Sequence, residues 1–366
     1  MSQIIAEYKF DNILYDLIPE FNEGFEYTYE DVLEGNVTTR TIYSDSLPTK
    51  IKFGADVYQS ASNKSNCLLT VEYLNTDNIN NAWGMFNQCT NLSSINSLNL
   101  VTSNVIDMMY MFCNCESLTS LDASNWDVSN VTNMHSAFAN CRKLVSIGDV
   151  SNWNTGNVTD MTYLFNSCQS LTSLNVSNWD TSNVTNMKNI FANCASLITL
   201  DLSNWDTSNV TNMSYMICDC YCLTELDLSN LNVENVTDMT YMLKSNKFAK
   251  VNLSNWKLNK DVNNENMFIW CDLNNLKEIT MNNSDYNSVN KIIEQLPTRN
   301  TLGYMYISRN ILNNVNISEA ESKMWRVLPI GGRVKNVYVN GNNVTNMITK
   351  QNKKIKGIYL GNTPLL

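Results

Sequence analysis

LTSLNVSNWDTSNVTNMKNIFANCAS, from Leu171 to Ser196, is followed directly by LITLDLSNWDTSNVTNMSYMICDCYC, from Leu197 to Cys222. Two such strings in succession define a repeat, and a repeat decides the fold before any single residue does. Working outward, Cys89, Cys115, Cys141, Cys168, Cys194 and Cys220 form one column, spaced 26, 26, 27, 26 and 26 residues apart. A second column is Trp126, Trp153, Trp179 and Trp205, continued by Leu231 and Trp256. A third runs from Met108 through Met134, Met161, Met187 and Met213 to Met239. A fourth is Asn104, Asn130, Asn157, Asn183, Asn209 and Asn235. The one longer interval falls where Gly148 and Asp149 hold an extra residue.

Each unit has two halves. Leu197-Ile-Thr-Leu200-Asp-Leu202-Ser alternates at its end, which predicts a short strand. Val131, Met134, Ala137, Phe138, Cys141 and Leu144 follow steps of three and one, which fit one face of a helix. Between them, Trp-Asp-Thr-Ser-Asn supplies side chains suited to cap that helix. One strand and one helix cannot bury their apolar sides alone, but stacked neighbours can. The expected fold class is therefore an α/β repeat solenoid with a parallel sheet.

The repeated columns read first as packing. The cysteines are expected as buried thiols, since there are eleven of them, an odd number, in a long chain. The Trp, Met and Phe columns are expected in the core, and the Asn column as a ladder bonded to turn backbone. The Asn-Val-Thr triplets match a glycosylation sequon, but the start MSQIIAEYKFDNIL lacks a basic n-region, an apolar h-region and a cleavage site. The expectation is a chain made and folded in the cytosol, with no membrane insertion.

The unit L-x-x-L-D-L-S-N-W-D-T-S-N-V-T-N-M-x-x-M-F-x-x-C resembles the BspA-like leucine-rich repeat family over roughly residues 70–272. That resemblance implies leucine-rich-repeat architecture and a role in surface adhesion. Members are typically exported or lipid-anchored, and the start of this sequence shows no such signal.

The flanks depart from the repeat. Residues 1–66 read as a β-rich cap or attachment domain. Ile5–Phe10 is strand-like, and Phe25–Tyr29 and Val37–Ile42 form a hairpin about Glu34-Gly35-Asn36. Residues 67–272 are the solenoid. Residues 273–330 read as an α+β cap, with a helix over 286–297 stopped at Pro297, a strand over 302–307 and a helix over 318–328. Residues 331–366 form a short β tail, in which Val334–Gly341 and Ile355–Gly361 each alternate before a glycine turn. Those strings resemble β modules at the ends of phage tail and baseplate proteins, and the segment from Leu296 to Trp325 is similar to phage-encoded members of the repeat family.

A net charge of −10 and a charged fraction of 16% argue against nucleic acid as a partner. The single histidine, His135, lies in a column otherwise filled by Thr162, Lys188, Ser214 and Thr240, and reads as a solvated surface residue. No nucleophile elbow, zinc-protease helix or phosphate loop is present. Asp127, Asp180 and Asp206 recur in like surroundings, whereas acid/base catalysis needs two carboxyls in unlike ones. Cys218-Asp-Cys220-Tyr-Cys222 lacks the paired spacing of a zinc site. No enzyme activity, cofactor or metal is expected, with calcium at the Asp/Asn-rich turns left open.

Binding is the remaining class, because solenoids present long regular faces. Two variable rows are the candidates. One holds Tyr110, Tyr163, Tyr215 and Tyr241, interrupted by Ser136 and Asn189. The other is the outward strand position with Asp122, Asn175, Asp201, Asp227 and Asn252. The expected function is host-surface recognition of a glycan or protein by a phage virion protein of the tail, baseplate or fibre. Its caps would bind other virion proteins, and a homo-oligomer is left open. The alternatives are a bacterial cell-surface adhesin and an envelope glycan-degrading enzyme.

Overall fold

A computed structural model describes residues 2–11, 17–54, 68–96, 100–272 and 275–330, with four two-residue strands in the tail. The repeats wind into a β-solenoid of about ten coils. Among the described residues of the repeats, the helix expected in the second half of each unit is absent, and the bonding pattern explains why. The N–H groups of Met134, Ser136, Phe138 and Asn140 donate to Asp160, Thr162, Leu164 and Asn166 of the next coil, at 2.7–3.0 Å. The N–H groups between them, on Ala137, Ala139 and Cys141, donate to carbonyls three residues back. Ser136 and Asn140 have φ of 54° and 60° at the third position of their turns, which type II turns require. The segment is thus a run of β-turns stacked on its neighbours. Apolar steps of three and one fit an inward-facing turn run as well as a helix face. The Asn, Ser, Thr and Cys between them are weak helix formers that favour turns.

Ladders hold the coils in register. Asn81, Asp107, Asn133, Asp160, Asn186, Asn212, Asp238 and Asn263 form successive parallel bridges. No two aspartates are neighbours in that series, so like charges are kept apart. The Asn column bonds as expected: Asn130, Asn157, Asn183, Asn209 and Asn235 each donate from Nδ2 to a backbone carbonyl of the preceding coil at 2.7–2.8 Å. Trp153, Trp179, Trp205 and Trp256 donate from Nε1 to buried carbonyls of the preceding coil, at 2.9–3.0 Å. The Trp, Phe and Met columns are buried, and burial of each large side chain contributes about 1.5–3 kcal/mol.

The thiols form a further ladder. Cys115, Cys141, Cys168, Cys194, Cys220 and Cys271 each donate from Sγ to a carbonyl of the preceding coil at 3.1–3.2 Å. Asn246 takes the place of a cysteine in that series. Its Nδ2 donates to Ile217 and Leu243 carbonyls, and its Oδ1 accepts from the Cys220 N–H. The extra residue of the longer coil is Gly148, a bulge at φ 80° whose backbone lies against the Asp122 carboxylate.

The flanking regions join the stack through sheets. β1 (Gln3–Asp11), β2 (Glu20–Phe21), β3 (Thr28–Glu34), β4 (Val37–Ser44), β5 (Ile51–Lys52), β6 (Leu68–Leu74) and β7 (Ser94–Ile95) come first. A sheet of order β3-β4-β1-β6-β7 is antiparallel until β6 and β7, which pair in parallel as the coils do. The expected hairpin is β3 and β4, with Glu34 paired to Val37 across a two-residue turn and Gly35 at φ 63°. The strand expected from Phe25 begins at Thr28.

At the other end, β8 (Glu225–Asp227), β9 (Lys250–Asn252), β10 (Glu278–Met281), β11 (Gly303–Ser308) and β12 (Trp325–Ile330) form a parallel sheet. α1 (Tyr286–Gln295) and α2 (Ile317–Ser322) lie in the connections. Among the described residues, a strand-then-helix alternation appears only here. α1 opens with Asp285 accepting from the Ser288 N–H and ends before Pro297, as the sequence predicts. The helix expected over 318–328 is corrected: it starts after Asn316, which caps with Glu319, and gives way to β12 at Trp325. In the tail, Tyr338–Val339 pairs with Asn342–Asn343 and Tyr359–Leu360 with Thr363–Pro364. The rest of the two strings lies outside the described residues.

Candidate binding face

The strand side of each coil points alternate residues outward. Register from β8 to β12 sets two outward rows on the sheet: Glu225, Lys250, Glu278, Tyr304 and Arg326 in one, and Asp227, Asn252, Thr280 and Tyr306 in the other. Earlier coils continue the rows with Ser120 and Asp122, Ser173 and Asn175, and Thr199 and Asp201. The strand-side candidates Asp122, Asn175, Asp201 and Asp227 therefore share one exposed face.

Each of those four side chains turns the chain at the strand end. The Oδ1 atoms of Asp122, Asp201 and Asp227 accept the N–H of Ser124, Ser203 and Ser229 at 2.9–3.1 Å, and Asn175 accepts from the Ser177 hydroxyl at 3.0 Å. One oxygen thus fixes the corner. The Ser124 hydroxyl and N–H hold the Asp122 carboxyl below its usual range. Burial pulls the Asp227 carboxyl up, but bonds from Ser229 and Asn252 outweigh it and the net direction is down. The Asp122 and Asp227 carboxylates are therefore anionic acceptors at neutral pH.

A shallow groove of about 560 Å³ crosses four coils of this face. Asp201, Glu225, Asp227, Lys250, Glu278 and Thr280 line it, with Ile198, 60% exposed, at its rim. The next strand places Tyr304 and Tyr306 beside Glu278 and Thr280, their ring centroids 6.5 Å apart. A smaller groove of about 490 Å³ includes Asp122, Ser120, Ser146 and Gly148. Asn175 lines neither of these two grooves.

The tyrosine row lies elsewhere on the coil, half-buried, and its groups are largely engaged. Tyr110, Tyr163, Tyr215 and Tyr241 all stand at φ of 56–59°, the left-handed turn position filled in other coils by Ser136, Asn189 and Asn266. Tyr215 and Tyr241 stack on each other at 4.8 Å, which covers one face of each ring. The Tyr241 hydroxyl accepts from Asn266, and the Tyr110 hydroxyl meets His135 Nε2 at 3.2 Å. His135 is corrected from a solvated residue to a half-buried one. It sits edge-on to Tyr110 and Tyr163, with Nδ1 3.6 Å from Asp160.

The thiols offer little chemistry. Desolvation pushes Cys113, Cys194 and Cys218 up to about 12 and Cys271 to about 11, while Cys222 is exposed. Among the described residues, no three His, Cys, Asp or Glu side chains converge as a metal site would require.

Sequence reasoning missed Glu225, Lys250, Glu278, Tyr304 and Tyr306. Period-2 alternation was the available signal: a residue two before each strand aspartate shares its face. Trp270, 71% exposed at φ 59°, was also missed; it lies over the Lys244 ammonium at 4.7 Å.

Comparison with family models matches residues 55–174 and 170–283 to a family described as "Mycoplasma protein of unknown function, DUF285". The match covers the stretch that resembles BspA-like repeats and supports a repeat protein of that type. No curated protein and no solved structure matches.

Proposed function

The chain belongs to the DUF285 family, and we propose that it is a non-enzymatic surface-recognition protein whose strand face binds an extended glycan of a host surface. The observation that carries the proposal is the groove across four coils, with Tyr304 and Tyr306 on the strand next to its last lining residues, Glu278 and Thr280. Carboxylates, an amide and a lysine in the groove supply hydrogen-bond partners for sugar hydroxyls. The tyrosine pair supplies an apolar platform with polar tips. Open, shallow and regularly spaced, the groove suits a chain ligand better than a small enclosed one.

Binding is favoured over glycan cleavage by the carboxyl groups themselves. Asp122, Asp127, Asp149 and Asp180 are all held low by serine donors two residues on, whereas a general acid needs a raised value. The antiparallel strands of residues 1–66 and the helix-bearing strands of residues 273–330 are read as caps that close the ends of the sheet. A repeat solenoid of this family is consistent with a surface-interaction protein. The phage-virion reading rests on the tail strings and on the segment that leads to Trp325.

A glycan array probed with the full chain tests the proposal. Wild type is expected to bind a defined glycan set, with binding lost in Tyr304→Ala/Tyr306→Ala and in Asp201→Asn/Asp227→Asn. Thr132→Ala, on a different side of the coil, is expected to bind as wild type does. Glycan binding unchanged by both groove variants refutes the site. Release of reducing ends from the bound glycan refutes the non-enzymatic assignment. Immunogold labelling separates a cell surface from a particle.

A further inference from the structure

β3 is the outer strand of its sheet and pairs with β4 on one side. All seven of its residues are exposed, among them Val32 at 59% and Leu33 at 62%. A strand of this length with exposed apolar side chains is a template for another strand. Its charge selects which. Glu30, Asp31 and Glu34 are acidic and the strand has no base. Asp31 is held by Arg40 through two bonds of 2.6 and 2.7 Å. Glu30 and Glu34 stand opposite Thr41 and Val37, neither of which neutralises them. Self-pairing of two β3 strands would therefore gather like charges.

The opposite charge is at the other end of the chain. Residues 331–366 contain Arg333, Lys335, Lys350, Lys353, Lys354 and Lys356 and no Asp or Glu. The net charge of −10 thus divides into +6 on this segment and −16 on the remainder. We propose that the basic segment Lys350–Lys356 of one copy adds as an antiparallel strand to β3 of a second copy, joining the molecules head to tail. With Lys354 opposite Glu30, Lys350 falls opposite Glu34, Lys353 opposite Asp31 and Ile355 opposite Tyr29. That register places Lys354 and Lys350 against Glu30 and Glu34, the two carboxylates that β4 leaves unneutralised, and an apolar side chain beside an exposed ring.

Reach assigns the donor to a second copy. About ten coils and three strands of the N-terminal sheet separate β12 from β3, roughly 62 Å at about 4.8 Å per strand. The pairing of Tyr338–Val339 with Asn342–Asn343 folds the segment back on itself. About 15 residues then remain to extend between Ile330 and Lys350, roughly 50 Å at about 3.3 Å each, short of the distance.

Sedimentation of the full chain over a range of concentration and salt tests the proposal. Wild type is expected to self-associate at low salt and to dissociate as salt rises. Glu30→Lys/Glu34→Lys is expected to be monomeric, and so is Lys350→Glu/Lys354→Glu, which leaves the folded sheet untouched. The two variants mixed should associate with each other, in alternation, because each tail then meets a strand of opposite charge. All four substitutions in one chain should restore self-association. A wild type that stays monomeric at every concentration overturns the proposal. Association that survives the lysine reversal also overturns it.

Discussion

Replacing Asn246 probes the ladder that sets coil spacing. The side chain is buried and makes three bonds at 2.6–2.9 Å, two to carbonyls and one from the Cys220 N–H. Asn246→Ala leaves that N–H and the Ile217 carbonyl without a partner and removes one of two donors from the Leu243 carbonyl, which keeps the Cys271 thiol. At about 1–3 kcal/mol for each buried group left unsatisfied, and less for carbonyls that keep a second acceptor site, the expected cost is about 3–5 kcal/mol. Asn246→Cys restores the residue found elsewhere in the column. Its thiol would reach the Ile217 carbonyl as Cys220 reaches Phe191. The Cys220 N–H would return to the carbonyl three residues back, as Cys194 does. The cost should fall to about 1–2 kcal/mol, so the two variants differ by about 2–3 kcal/mol, roughly 30-fold or more in an opening equilibrium. Hydrogen exchange of peptides spanning residues 215–245, read beside a urea melt, measures the difference. Equal acceleration in both variants would refute the ladder account, because size alone would then explain the loss.

Three further outcomes follow from the same geometry. In native protein, an alkylating reagent should label Cys222 rapidly and leave the buried column from Cys89 to Cys220 unlabelled, as residue-resolved mass spectrometry would read. Gly148→Ala should lower the melting temperature, because a Cβ at φ 80° would stand 2.5 Å from Asp122 Oδ1; deleting Gly148 restores the 26-residue period and should be tolerated better. Asp122, Asp127, Asp149 and Asp180 are held low when folded, so their stabilisation is present above the ordinary carboxylate range, near ~4, and is lost as pH falls through the folded values. The melting temperature should therefore be level from neutral to weakly acid pH and fall below about pH 4; a fall that begins near neutrality would contradict this.

The period, its columns and the extra residue at Gly148 are legible because each coil repeats one environment and so repeats one residue type. The helix was misread for a physical reason. Met134, Phe138 and Cys141 keep helical spacing, but backbone bonds that run to the next coil leave no mark in the spacing of side chains. The residues that mark it are Ser136 and Asn140, which recur as small polar types at positive φ. Tyr110 and Tyr163 hide that signal, since a bulky ring at such a position looks like a ligand contact rather than a turn. On the strand face, Asp201 and Asp227 were visible as a column. Tyr304 and Tyr306 were not joined to them, because register between β10 and β11 exists only in three dimensions.

Far-UV circular dichroism of the full chain tests the architecture most directly. The described helices hold ten and six residues of 366, so the account predicts a β- and turn-dominated spectrum with under about a tenth helix. A helix of about ten residues in every repeat would put well over a quarter of the solenoid in helix. A strong helical minimum at 222 nm would contradict the stacked-turn coil and, with it, the flat strand face on which the binding proposal stands.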